Sequence, residues 1–359
     1  MDVAEFDFEL PEELIAQNAV ERGASRLLVL DRTSSEVSHA SIRQLPSFLK
    51  PGDLMVANDT RVIPARLLGH RVPSGGAVEC LLLEKEPASS SQLPAAGEQI
   101  WSALVHPGQK LKPGALIRFE SATGVLMAEV LERQFFGRRR IRLWSDGSAA
   151  VDDLVDALGH VPLPPYIHRA DTPEDRERYQ TVFARHRGSI AAPTAGLHFD
   201  GSLLRALDDA GVERATVTLH VGYGTFKPVR AERVEDHIVD PEPYEISPAA
   251  ASAINRALDA GRRVLAVGTT TTRALEDAAV RGGGRVHPGG ARAEIFIYPG
   301  FAFQVISGLL TNFHLPKSSL LMLVSAFAGR DAVRAAYREA VAQRYRFYSY
   351  GDAMLVLKF

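Results

Sequence analysis

The sequence predicts an α/β protein with an all-β module inserted near its N-terminal end, and three observations carry that reading. Between Val62 and about Trp144 the chain is all short strands set apart by turn residues. From Ser148 onward helical and strand patterns alternate. Two apolar strands, Arg26–Asp31 and Asp53–Asn58, flank a polar turn before the module begins.

Within the module the strands read as Val62–Gly69, Ala77–Glu84, Gln99–Val105, Ala115–Phe119, Gly124–Leu131 and Arg139–Trp144. Pro73-Ser74-Gly75-Gly76, Pro107-Gly108 and Pro113-Gly114 separate them, a pattern that suits a small antiparallel barrel or sandwich. The polar stretch Glu86–Glu98 reads as a mobile hairpin loop. After Ser148, Ser247-Pro248 opens a helix with a serine cap and proline in the first turn, and Gly261 stops it. Arg262–Val267 and Glu294–Tyr298 then read as strands, and Thr271–Val280, Ser319–Ala328 and Asp331–Arg346 as helices. Residues 281–290, with two glycine-rich runs, read as a flexible connection.

At 359 residues the chain has room for about two domains and a large core. Its 46% hydrophobic and 23% charged residues exclude collagen-like, mucin-like and largely disordered classes. Lys and Arg number 41 against 43 Asp and Glu, so the net charge of −2 gives no sign of a polyanion partner while leaving room for a local basic face. The lone Cys80 excludes a disulfide framework, thiolate zinc knuckles and three-cysteine iron–sulfur sites, and suits a reducing cytosol. Met1–Leu10 is acidic rather than basic-then-apolar, so no secretory signal is expected. The most apolar stretch, Ser319–Gly329, is well short of the ~20 residues a spanning helix needs. A soluble intracellular protein is expected.

Five stretches could carry chemistry. In Arg263–Leu275 a strand ends at Gly268 and Thr269, Thr270, Thr271 and Thr272 open a helix, whose free N–H groups and hydroxyls suit an anion or a carboxylate; the plainer reading is a helix cap. Thr216–Val229 puts His220 two residues before Gly222, with Gly224-Thr225 following, where glycines let backbone approach a ligand; a turn with a core histidine is the alternative. Ala191–Phe199 places Thr194 and His198 in an apolar loop ahead of a helix capped by Asp200. Leu310–Leu321 crowds Asn312, His314 and Lys317 before an apolar helix capped by Ser318 or Ser319. Tyr345–Met354 interleaves Arg346 with aromatic rings, which could stack on a base or simply pack.

The one dense basic run is Arg138-Arg139-Arg140 with Arg142, near Arg133; strand alternation sends Arg138, Arg140 and Arg142 to one face, for phosphate contact or as a solvated edge. The eleven histidines include no His-Glu-x-x-His and no tight pair, so no metal is expected. Neither a Walker loop, a dinucleotide turn nor a Gly-x-Ser-x-Gly elbow is present.

Taken in order, these blocks resemble those of the S-adenosylmethionine:tRNA ribosyltransferase-isomerase family of queuosine biosynthesis. The likeness runs through FDFELPEELIA (Phe6–Ala16), NDTRVIPARL (Asn58–Leu67), PLPPYI (Pro162–Ile167), RYQTVFA (Arg178–Ala184), AAPTAGLHF (Ala191–Phe199), HVGYGTFKPV (His220–Val229), AVGTTTTRALE (Ala266–Glu276), LTNFHLPKSSLLMLVSAFAG (Leu310–Gly329) and YRFYSYGDAM (Tyr345–Met354). It implies a barrel-like α/β catalytic domain over 1–61 and 148–359, with a small antiparallel β-barrel domain inserted at 62–147.

The resemblance further implies transfer of the ribosyl part of S-adenosylmethionine to 7-aminomethyl-7-deazaguanine at the wobble position of tRNA, isomerisation to the epoxycyclopentanediol, and release of adenine and methionine. Its expected partners are S-adenosylmethionine and a tRNA anticodon stem-loop, for a cytoplasmic monomer with no metal. The sulfonium acidifies the neighbouring C5′ proton, so the reaction needs a positioned base, and the RNA amine must lose a proton to attack. His198, His220 and His237 are the expected acid–base groups, with Glu245 or Asp59 orienting one of them. Thr269–Thr272 with Arg273, Thr194, Gly222 and Thr225 are expected at the cofactor, the threonines on its methionine carboxylate, and Asn312, His314 and Lys317 at the sugar. Arg138, Arg140, Arg142 and Arg346 are expected on RNA.

The chain departs from the family pattern twice: Asp240 stands where a second histidine is usual in the His237–Glu242 segment, and Ser307 where an aspartate usually precedes the Leu310 block. The alternatives are a tRNA-binding paralogue in which Asp240 and Ser307 record lost chemistry, and an S-adenosylmethionine-dependent transferase acting on a free small amine rather than RNA.

Overall fold

The computed structural model describes residues 1–86, 97–226 and 229–358. Most of the polar Glu86–Glu98 connection, together with Lys227 and Pro228, therefore lies outside the described residues. In chain order the strands are β1 (Arg26–Asp31), β2 (Val37–Ser41), β3 (Leu54–Asn58), β4 (Thr60–Val62), β5 (Arg66–Val72), β6 (Ala77–Lys85), β7 (Gln99–His106), β8 (Leu116–Ser121), β9 (Gly124–Arg133) and β10 (Arg138–Ser145). They continue as β11 (His186–Ser189), β12 (Glu213–Leu219), β13 (Glu242–Ile246), β14 (Val264–Val267), β15 (Gly289–Ala293), β16 (Gly308–Asn312) and β17 (Ala353–Leu357). The helices are α1 (Val151–Leu158), α2 (Asp175–Arg178), α3 (Gly201–Asp209), α4 (Pro248–Asp259), α5 (Thr269–Arg281), α6 (Ser319–Ala328) and α7 (Arg330–Ala342).

Strands β5 to β10 close into an antiparallel barrel in the order β10-β7-β6-β5-β8-β9. Closure leaves no unpaired edge, and alternate residues of β6, β7, β9 and β10 fill its interior. Helix α1 packs Val151, Leu154 and Val155 into the same apolar core, against β5, β8, β9 and β10. The expected module strands appear in place, except that Val62–Gly69 divides at Ile63-Pro64-Ala65 into β4 and β5, since proline cannot donate to a ladder.

The second unit is a mixed sheet in the order β15-β13-β12-β3-β14-β16-β17-β1-β2. Its central strands are near-continuously apolar because both faces are covered. Leu28, Leu30, Leu54 and Val56 face a layer formed by α4 to α7. Leu27, Val29, Met55 and Ala57 face the other way, against α3 and the turn holding Ile42 and Leu45. Ser247 caps α4 by accepting the Ala250 N–H, as its Ser-Pro start predicts. Asp200 caps α3 through the Leu203 N–H at 2.7 Å, and Ser318 caps α6.

Three sequence expectations change. Val37–Ser41, read as turn, is an edge strand beside β1. Glu294–Tyr298 is not a strand; the strand is Gly289–Ala293, so the second glycine run of the expected flexible connection is paired to β13. The reason lies in α5, whose acids take the loop's N–H groups: Asp277 accepts from Glu294, and the buried Glu276 accepts from Gln304, Val305 and Ile306 at 2.7 to 3.0 Å. The last helix ends at Ala342, four residues early, where Arg344 turns to φ 53°.

Among the described residues, no helix is long and apolar enough to cross a membrane.

Candidate functional site

Strands β12, β3, β14 and β16 run parallel, so their carboxyl ends, Leu219, Asn58, Val267 and Asn312, share one edge of the sheet. Ligands of α/β sheets bind outside that edge, where loops leave the strands. Asn58 ties two of these ends together, donating to Leu219 O at 2.8 Å and accepting the Leu219 N–H. Three adjoining cavities lie along the edge, and most of the sequence blocks meet there.

The largest is a cleft of about 480 Å³ between barrel and sheet, within the range of small-molecule sites. His220 is the histidine among its described lining residues. Its Nδ1 lies 2.7 Å from Thr60 Oγ1, and Gly188 presses so closely that a Cβ there would sit 2.8 Å from the ring. Burial and the nearby His186 lower the His220 pKa, against the pull of Asp59 and Glu245. Cations on the cleft are each met by a carboxylate: Arg138 by Asp240 at 3.0 Å, Arg292 by Glu84 at 2.6 Å, Lys85 by Asp152 at 3.6 Å, and Arg187 by Asp156. The first two pairs bridge the barrel to the sheet unit.

A second cavity sits at the N-terminus of α5 and is lined by Tyr166, Thr194, Thr269, Thr270, Asn312, His314 and Tyr348 among others. Gly268 adopts φ +93° to turn the chain into this helix. The four threonines divide. Thr271 and Thr272 donate back to Val267 O and Gly268 O, whereas Thr269 and Thr270 reach the cavity. His314 is buried, bonded to Thr311 Oγ1 at 2.9 Å, and desolvation pushes its pKa down to about 3. Tyr348 holds φ +72°, a backbone region costly for an aromatic residue, beside Tyr166 at a ring distance of 4.4 Å.

The third cavity joins the other two and is lined by His237, Asp240, Glu242, Arg273, Thr225 and Phe296. Glu242, 3% exposed, is its hub. One carboxylate oxygen accepts the Gly222 N–H at 2.9 Å and the Thr225 hydroxyl at 3.1 Å, and the other meets Arg273 at 2.6 Å. His237 stacks edge-on to Phe296, with its pKa lowered by burial against a raising influence from Asp240.

The structure thus gathers His220, His237, Gly222, Thr225, Thr194, Thr269, Thr270, Arg273, Asn312, His314 and Arg138 along one cleft. Other expected residues stand apart. His198 is buried behind it, 2.8 Å from Ser25 Oγ, and desolvation brings its pKa down to about 4. Asp59 accepts from Thr218 and Glu245 is exposed on β13; neither bonds to the His220 ring, whose partner is Thr60. Lys317 pairs with Asp7 at 2.7 Å and lines none of the three cavities. Arg140 is paired to Glu86 and Arg142 to Glu129 and Glu98, while Arg346 reaches Asn18 O.

Sequence reasoning did not single out Glu242, Thr60, Gly188, Arg292, Tyr166 or Tyr348 as site residues. Glu242, Thr60 and the two tyrosines lie within blocks already singled out; nothing in the sequence pointed to Arg292. Among the described residues no three His, Cys, Asp or Glu converge as metal ligands would.

Comparison with known proteins covers nearly the whole chain. A family model described as "Queuosine biosynthesis protein" matches residues 3–356. A relative from Heliobacterium modesticaldum named S-adenosylmethionine:tRNA ribosyltransferase-isomerase is 51% identical over 358 residues, covering 99% of this chain and all of that one. A relative of the same name from Symbiobacterium thermophilum is 50% identical, with 99% and 100% coverage. The crystal structure of S-adenosylmethionine tRNA ribosyltransferase from Thermotoga maritima is 37% identical, covers 98% of this chain and all of its own, and superposes with a TM-score of 0.53.

Proposed function

The chain belongs to the queuosine biosynthesis protein family, and from that membership we infer that it is an S-adenosylmethionine:tRNA ribosyltransferase-isomerase. It transfers the ribosyl moiety of S-adenosylmethionine onto 7-aminomethyl-7-deazaguanine at the tRNA wobble position, isomerises it to give epoxyqueuosine, and releases adenine and methionine. The observation that carries the assignment of roles is His220, held at the mouth of the parallel strands and facing the cleft between barrel and sheet. Its lowered pKa keeps it neutral near pH 7, and a neutral imidazole can accept the proton that the RNA's aminomethyl group must lose before it attacks. The Thr60 contact holds the ring in one orientation.

The cleft takes the wobble nucleoside of the anticodon stem-loop, flipped away from its neighbours as single-stranded RNA readers take bases. Arg138, Arg187 and Arg292 are the phosphate contacts, exchanging their present carboxylates for RNA. Arg140, Arg142 and Arg346 are not needed for that. His237, beside Glu242, is the candidate for the C5′ proton next to the sulfonium. The two expected histidine roles fall to His220 and His237, since His198 lines none of the three cavities. No step requires a metal, and the reading places a monomeric enzyme in the cytoplasm, with the inserted domain at 62–147 forming one wall of the cleft.

The test is adenine release from S-adenosylmethionine on tRNA carrying the deazaguanine base. The wild-type protein releases adenine and methionine in equal amounts, and His220→Ala lowers the rate by about 100-fold or more with S-adenosylmethionine binding retained. Unchanged turnover removes His220 from the mechanism; tRNA-independent release onto a small amine removes the RNA reading.

A further inference from the structure

We propose that the cavity at the N-terminus of α5 is an adenine subsite and that the adjoining cavity around Glu242 takes the amino-acid end of S-adenosylmethionine. The proposal rests on the function inferred above and assigns the two ends of that substrate to separate places.

The first observation is charge. Among the described residues lining the α5 cavity there is no Asp, Glu, Lys or Arg. Its walls combine aromatic rings, Tyr166, Phe313 and Tyr348, with uncharged polar groups such as Thr269, Thr270 and Asn312. A zwitterionic amino-acid group placed there would bury two charges without counter-charges, which is strongly unfavourable. A purine is uncharged, planar and apolar on both faces, and Tyr166 and Tyr348 offer rings to pack against it.

The second observation is polar atoms left over. Thr270 Oγ1 and Tyr348 OH are buried with no hydrogen-bond partner, on residues 7% and 5% exposed, and Asn312 Oδ1, on a residue 2% exposed, has only the His198 ring to meet it. Leaving buried polar groups unsatisfied is costly, so these atoms around one cavity mark where a ligand supplies the missing bonds. Asn312 is the selective one. Its Nδ2 is committed to Tyr348 O at 2.9 Å, so its oxygen is the acceptor: one lone pair is met by the buried His198 ring, and the second is left for an N–H in the cavity. The exocyclic amine of adenine supplies that donor. The hydroxyls of Thr270 and Tyr348 are then free to donate to ring nitrogens.

The neighbouring cavity has the opposite character. Arg273, Glu242, Asp240 and His237 line it, so it can meet both a carboxylate and an ammonium. The two cavities share Thr225 and Leu320, and the Thr225 hydroxyl donates to Glu242. Sugar and sulfonium cross at that boundary, with the positive sulfur beside the Glu242 carboxylate and the sugar open to the His220 cleft through Val221. Thr269 and Thr270 thereby serve the base rather than the methionine carboxylate.

The experiment measures calorimetric affinity of the full chain for S-adenosylmethionine, for 5′-methylthioadenosine, which lacks the amino-acid group, and for the inosine counterpart of the latter. Asn312→Ala and the isosteric Thr270→Val should weaken S-adenosylmethionine and methylthioadenosine alike, by about tenfold. Asn312→Ala should also erase the preference for adenine over the oxo base, while Arg273→Met should weaken S-adenosylmethionine alone. The subsite assignment is overturned if Thr270→Val and Asn312→Ala weaken only S-adenosylmethionine, or leave both affinities and the base preference intact. Failure of the wild-type chain to bind either adenosyl compound would instead overturn the function from which the assignment starts. Thermal melts of each variant show that folding is retained, and Thr270→Val, which breaks no bond within the protein, keeps the test decisive if Asn312→Ala does not fold.

Discussion

Replacing Glu242 by glutamine removes one charge and almost no volume from the point where two of the cavities meet. The new amide oxygen would still accept the Gly222 N–H and Thr225 hydroxyl, but Arg273, with only 12% of its side chain exposed, would lose its carboxylate. Breaking a buried pair on one side costs about 3–5 kcal/mol. Arg273 keeps the Ala293 carbonyl at 3.1 Å, which points to the lower end, about 3 kcal/mol. For two-state unfolding of a chain of 359 residues, an unfolding entropy of about 0.75 kcal/mol/K turns that into a fall in Tm of about 4 °C. Glu242→Gln with Arg273→Met removes both charges, so the double variant should be more stable than the sum of the single losses predicts, by about 1.5 kcal/mol or more. Scanning calorimetry of the four proteins closes the cycle. A shift under about 1 °C in the single variant, or additivity within about 0.5 kcal/mol, would refute the view that Glu242 and Arg273 form a buried charge pair.

Acid should unfold the protein through its buried histidines. Because burial holds His198 near 4 and His314 near 3, below the ordinary 6.5, the unfolded chain takes up protons first as pH falls; the stability is fully present above about 6.5 and is lost as pH drops toward 4. For His198 that loss is about 3 kcal/mol, and urea titrations of His198→Gln should show a flatter pH dependence between pH 6.5 and 4 than the wild type. Gly188→Ala should push the His220 ring off Thr60, lowering the rate of adenine release at least tenfold while S-adenosylmethionine affinity stays within a factor of two, as steady-state kinetics and calorimetry would register. Asp240→Asn should release Arg138 for RNA: tRNA binding tightens several-fold at low salt and the gain fades above about 0.3 M, whereas stability changes by less than about 1 kcal/mol because the pair is one-third exposed.

Local pattern carried much of the fold. The barrel strands, the Ser247-capped helix and the apolar helix after Ser318 lie where alternation and cap residues put them, because these signals act over a few neighbouring residues. Alternation also placed Arg138, Arg140 and Arg142 on one face. It failed at Glu294–Tyr298, where a strand-like pattern has no neighbouring strand and the Glu294 amide goes to Asp277.

The α/β class, the inserted barrel and the family chemistry were all legible in the chain alone, since periodicity and ordered motif blocks are written along it. Which of these residues lie beside one another depends on the three-dimensional arrangement. Nothing in the sequence signals that Arg142 is paired with Glu129 and Glu98, that Lys317 is paired with Asp7, or that His198 is buried. A charge's partner and a ring's exposure come from segments far away in the chain, brought alongside by strand order, and no short-range pattern encodes them.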